Sequence, residues 1–243
     1  MPEQLPFTRL LNHLFRGAAN SLLDALRIHH SAAAPISNYV AMQIFVAGLL
    51  IAAFVAVRLR LSVDNPGGLQ HVFEGVRSFI RGQSSEIIGH HSEGFTPFLA
   101  TLGLFILLSN LLGLVPWFAS PTATPSVPLG CAIVAFLYYH TQGIRRLGVL
   151  KYAKQFMGPV WWLAILMVPI EIISHLARVM SLTIRLFANM FAGDMVTLVF
   201  FSLVPIGIPL IFLGLHIGVS LLQAYIFVLL ATVYLAGAVA EEH

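Results

Sequence analysis

Long apolar runs separated by short polar segments dominate this chain. Residues 31–57 pass 27 positions without Asp, Glu, Lys or Arg, and residues 95–144 pass 50. A helix crosses the hydrocarbon core in about 20 residues at ~1.5 Å each, so the first run predicts one span near 38–57 and the second has length for two. Pro116, Pro121, Pro125 and Pro128 divide the second run into spans near 95–118 and 127–144. Two further helices follow, near 158–204 and 206–240, with a turn at Pro205, Gly207 and Pro209 between them. A helix of over forty residues is ~60 Å long, so the first of this pair has to tilt strongly or bend. Together the two predict an antiparallel hairpin.

The polar segments have patterns of their own. In residues 5–26, Phe7, Leu10, Leu11, Leu14, Phe15, Ala18, Leu22 and Leu26 alternate with Arg9, Arg16, Asn20 and Asp24, which predicts an amphipathic helix. Two placements fit it: lying in the membrane interface, or packed on the rest of the chain. The opening residues lack the basic, apolar, small-residue order of a signal peptide and read as part of the mature protein. Residues 58–93 mix charge with Gly and Pro and predict a partly helical surface segment.

Composition agrees with the pattern. Of 243 residues, 58% are hydrophobic and 9% charged, against about 25% charged in soluble domains. The expected fold is therefore an all-α polytopic membrane protein with about five crossings. An N-terminal amphipathic segment (1–30) precedes a single transmembrane domain (31–243). The net charge of +3 is small and its residues fall in blocks, which leaves no basic surface for nucleic acid. Arg58, Arg60, Arg77 and Arg81 form one basic loop, and Arg145, Arg146, Lys151 and Lys154 another, whereas residues 119–127 have no basic residue. The positive-inside rule puts both basic loops in the cytoplasm, the N-terminus outside and the C-terminus inside. Arg9, Arg16 and Arg27 depart mildly from that rule. The single cysteine, Cys131, can form no intrachain disulfide and reads as a small packing residue.

The informative chemistry is charge at membrane depth. A charged side chain there costs at least a few kcal/mol, and it faces a bundle interior or aqueous cavity rather than lipid. The helix near 158–204 has four: Glu171, Arg178, Arg185 and Asp194. The first three are seven apart and share a face, whereas Asp194, nine beyond Arg185, points roughly opposite. Counted from Pro205, Asp194 lies eleven before and His216 eleven after, so the hairpin brings them level. Arg185 and Gln223 are level by the same count. Carboxylate and imidazole are groups that pass protons, whereas a guanidinium keeps its charge and cannot relay one. For Asn189, Ser174, Ser181 or Ser220 taken alone, interhelical hydrogen bonding worth about 1 kcal/mol is the better explanation. Glu171, His175 and Arg178 fit a headgroup-facing stripe as well as a polar path.

The stretch Ser181-Leu-Thr-Ile-Arg185-Leu-Phe-Ala-Asn189-Met-Phe-Ala-Gly193-Asp194 resembles the signature helix of the a subunit of bacterial F-type ATP synthases. Phe212-Leu-Gly-Leu-His216 and the run from Leu222-Gln223 to Tyr234 continue the likeness, which is strong from Val168 onward, recognisable from Phe95 and weak before that. The resemblance implies a proton-translocating stator subunit of the Fo sector, with two offset half-channels beside a rotating c-subunit ring that has mid-membrane carboxylates. It implies that Arg185 faces the ring and separates the half-channels. Asn189, Asp194, His216 and Gln223 then match the outer path, and Glu171, Ser174, His175 and Ser181 the cytoplasmic one. It further implies peripheral-stalk b subunits as partners, no cofactor, no metal, no nucleotide on this chain and no catalysis by the chain itself. The expected location is the bacterial plasma membrane, with an organellar inner membrane as the alternative. Asp194 stands where many members have Glu. The connection Pro121-Thr-Ala-Thr-Pro125-Ser lacks the acidic residue of many relatives and is assigned no proton-path role.

Two other classes compete. A self-contained cation/proton antiporter would use Asp194 and Arg185 in a broken helix, but such carriers have internal repeats and more crossings. A membrane metalloenzyme would draw on His29-His30 or on His90-His91 with Glu86 and Glu93, yet neither pair has metal-ligand spacing on a deep helix.

Overall fold

A computed structural model describes residues 5–25, 35–62, 66–89, 92–115, 118–157, 164–203 and 208–240. Both His-His pairs, Pro116, the turn with Pro205 and Gly207, and the Glu-Glu-His tail lie outside the described residues. Among those described there is no strand. The helices in chain order are α1 (Pro6–Ala25), α2 (Asn38–Leu59), α3 (Gly68–Ile88), α4 (Thr96–Leu112), α5 (Ser126–Leu147), α6 (Val149–Met157), α7 (Ala164–Leu203) and α8 (Ile208–Val239). The chain is an all-α polytopic membrane protein.

Helix limits follow local chemistry. Ser37 caps α2 by accepting a hydrogen bond from Val40 N at 3.4 Å. Pro97 sits in the first turn of α4, where its missing N–H costs nothing. Helix α5 stops at Gly148, whose φ of 77° lies in the left-handed region that glycine tolerates. Among the described residues, α2, α7 and the 210–239 part of α8 are long and apolar enough to cross a bilayer. Helix α4 has only 17 residues, and α5 loses hydropathy in its Tyr138, Tyr139, His140, Thr141, Gln142 stretch. At ~1.5 Å per residue the 40-residue α7 is about twice as long as the hydrocarbon core is thick.

Helices α4, α5, α7 and α8 form the centre of the molecule. Their shared core joins Leu102 and Ile106 of α4, Cys131, Ala132 and Ala135 of α5, Leu182, Leu186 and Met190 of α7, and Phe227 of α8. The four-residue spacing on α7 and α5 is the stripe by which each helix meets its neighbours. Small residues permit close approach: a Cβ on Gly103 would lie 2.7 Å from Val228 Cγ2. Helix α3 packs on α4 and α8, and α2 on α4. Helix α1 is tied to α2, since Asn12 Nδ2 donates to Ile36 O and Ile36 N donates to Asn12 Oδ1, both at 3.0 Å. Leu11 and Asn12 are buried there while Leu10, Leu14 and Phe15 face outward, so α1 packs on the chain and also presents an apolar side.

Candidate functional site

Helix α7 places three polar groupings along its length, and α8 supplies a partner to each. Glu171 and Asp194 are 23 residues apart, about 35 Å along the axis, with Arg185 between them.

Near the hairpin turn, Asp194 Oδ1 faces His216 Nε2 at 3.9 Å. The imidazole is buried and the carboxylate about one third exposed. The gap is too long for a hydrogen bond. His216 lies against Gly193, where a Cβ would meet Nδ1 at 2.8 Å, so this position requires glycine for the ring to sit so close. The end of α4 reaches the same place, since a Cβ on Gly113 would lie 3.5 Å from Asp194 Oδ1. One turn earlier, buried Asn110 accepts from Thr122 Oγ1 at 2.7 Å and donates to Ser220 O at 3.5 Å. Ser120 Oγ continues this line to Thr122 at 2.9 Å and to Ser109 O at 3.2 Å.

In the middle of α7, Asn189 Nδ2 donates to Gln223 Oε1 at 2.6 Å. Gln223 is buried and Asn189 is open on its outer side. Arg185, one turn before Asn189, donates to Ser181 Oγ at 3.3 Å. Among the described residues no carboxylate is within ion-pair distance of its guanidinium. A cation at membrane depth is unfavourable unless water or a counter-charge reaches it.

At the other end, Glu171 Oε1 is 3.4 Å from His175 Nε2, and Tyr139 OH is 2.9 Å from His175 Nδ1. Arg178 lies over the Tyr234 ring at 5.2 Å. A cavity of about 100 Å³ opens between Tyr152, Glu171, His175, Arg178, Tyr234 and Gly237. Ser174 is half-buried on the same helix.

The structure thus brings Asp194 to His216, Asn189 to Gln223, Arg185 to Ser181, and Glu171 to His175. Gln223 pairs with Asn189 rather than with Arg185, one turn away. Sequence reasoning missed Asn110, Ser120 and Thr122. The last two lie in the proline-rich connection that had been assigned no role, and the three are neutral residues whose proximity to α7 and α8 depends on packing. Tyr139 and Tyr234 were also missed.

These helices, with polar side chains paired along α7, define a multi-pass membrane protein. A family model described as "ATP synthase A chain" matches residues 40–236, and the chain belongs to that family. It is 56% identical to "ATP synthase subunit a" of Koribacter versatilis (strain Ellin345), with 100% of both chains covered. It is 49% identical to the protein of the same name from Solibacter usitatus (strain Ellin6076), over 96% of this chain and 100% of that one. Against that of Geotalea uraniireducens (strain Rf4) the identity is 40%, over 95% and 98%.

Proposed function

We propose that this chain is the proton-translocating stator subunit of an Fo sector, passing protons to and from a rotating c-subunit ring through two offset half-channels. The observation that carries the reading is Arg185, a guanidinium in the middle of a 40-residue membrane helix with no carboxylate partner among the described residues. A ring carboxylate that passes the face of α7 supplies that counter-charge. Ile184, Phe191 and Met195 of α7 and Leu215 and Leu222 of α8 are exposed large apolar side chains on the same hairpin, a surface suited to sliding contact with other apolar helices.

Asp194, His216, Asn189 and Gln223, with Asn110 and Thr122 behind them, form the outer half-path. Glu171, Ser174, His175 and Ser181 form the cytoplasmic one. Arg185 lies between and repels a proton that would run straight through, so protons cross only by riding the ring. Each proton that crosses releases ~2.3 kcal/mol per 100 mV, which rotation delivers to ATP synthesis on other subunits. The chain itself binds no nucleotide and catalyses no bond change. Peripheral-stalk b subunits hold it against the ring. It crosses the bacterial plasma membrane five times, with both basic loops inside, and the bacterial relatives support that location over an organellar one.

The test is Arg185→Ala in the assembled complex, followed by ATP-driven acidification of inverted vesicles. Pumping should fall to background while complex assembly persists; pumping at the normal rate overturns the stator reading.

A further inference from the structure

Beside Glu171 and His175, a second histidine lies in the protein interior with no part in the paths above. His140 is on α5, and its Nδ1 is 2.5 Å from Tyr152 OH on α6. Its ring centroid is 4.8 Å from that of His175 on α7 and 4.5 Å from that of Tyr139. Tyr139 in turn holds His175 Nδ1 at 2.9 Å, and His175 Nε2 is 3.4 Å from Glu171. The facing charge is Arg178, over Tyr234. Three helices therefore gather exchangeable protons between Glu171 and the short helix that contains Lys151 and Lys154, as two hydrogen-bonded pairs, Tyr139–His175 and His140–Tyr152, whose rings are in contact.

The packing around Tyr152 is specific. A Cβ on Gly143 would strike the Tyr152 ring at 2.5 Å and Ala238 O at 2.8 Å, so α5 is bare of side chain where the tyrosine crosses it. The cavity of about 100 Å³ lined by Tyr152, Glu171, His175 and Arg178 has room for several waters and polar partners to hold them.

We infer that His140 and Tyr152 extend the cytoplasmic half-path, relaying protons between the Glu171–His175 pair and the α5–α6 turn. This rests on the stator reading above. The step balances: an imidazole takes a proton on one ring nitrogen and gives up the proton on the other, returning to neutral, while the Tyr152 hydroxyl donates one proton and accepts another.

The experiment uses the assembled complex in inverted vesicles, where the cytoplasmic face is accessible. His140→Ala should slow ATP-driven proton pumping by about 100-fold or more, as for loss of a positioned proton-transfer group. Imidazole added to the medium should restore it, whereas pyrazole, of the same shape but far weaker base strength, should not. Unchanged pumping, a loss that imidazole leaves unrepaired, or equal rescue by both compounds overturns the relay. If His140→Ala fails to assemble, His140→Gln and Tyr152→Phe preserve the packing and should pump slowly; normal rates in both overturn it. Arg185→Ala in the same vesicles separates the two proposals. Background pumping there with normal pumping in the His140 and Tyr152 variants rejects only the relay, and normal pumping in Arg185→Ala rejects the stator reading.

Discussion

At the scale of single residues, the Asp194–His216 gap of 3.9 Å makes a sharp demand on geometry. Asp194→Asn removes the one carboxylate near the turn and should slow passive proton flux through the Fo sector about tenfold or more, measured as acidification driven by a potassium diffusion potential. Asp194→Glu retains the acid and should keep most of the flux. Gly193→Ala tests the ring position instead of the acid. Its new Cβ would approach His216 Nδ1 to 2.8 Å and Cε1 to 3.0 Å, so the imidazole must shift away. Flux should drop by less than in Asp194→Asn, with the complex still assembled. Asp194 and His216 were both legible in the sequence, because a formal charge in an apolar helix demands an explanation and equal counts from Pro205 make the two level. Asn110 and Thr122 were not legible, since an uncharged polar side chain costs little until its surroundings are known.

Among elements, the closeness of α4 and α8 depends on Gly103. Gly103→Val places branched carbons where Val228 Cγ2 already lies 2.7 Å from a Cβ position, and overpacking of this kind costs about 1–3 kcal/mol. The expected result is a lower midpoint for heat-induced aggregation in detergent. Gly48→Ala in α2 is the control: nothing lies within 4 Å of a Cβ there, and the higher helix propensity of alanine should leave stability equal or slightly raised. The apolar runs and prolines foretold most of the helices. The 58–93 segment, expected to be partly helical, contains the 21-residue α3, but nothing in its pattern foretold that α3 docks on α4 and α8. Its Arg81 pairs with Glu93, and one of its partners, α8, lies far along the chain.

For the whole molecule, the question is whether the polar line serves this chain alone or a larger machine. A self-contained antiporter would exchange ions when purified and placed alone in liposomes. The stator reading expects no ion exchange from the isolated chain and proton flux only after reconstitution with the ring. An imposed pH gradient across such liposomes, followed with a fluorescent pH probe, distinguishes the two. Exchange by the chain alone would restore the carrier reading.

Membrane residence, the all-α fold, one over-long helix and its charges follow from the sequence alone. Their physical cause is local, because every apolar residue and every charge meets the same bilayer whatever the fold. The likeness of the Arg185 to Asp194 stretch to a known helix was equally a property of the chain. What packing alone decided is which neutral groups complete the line. Tertiary structure paired Gln223 with Asn189 and not Arg185, carried Ser120 and Thr122 of the proline-rich connection to Asn110, and brought His140 beside His175. Those contacts depend on which face each helix turns to its neighbours, set by close approach at Gly103, Gly143 and Gly193. No pattern within one helix reports that choice, because the side chains that make it stand on other helices.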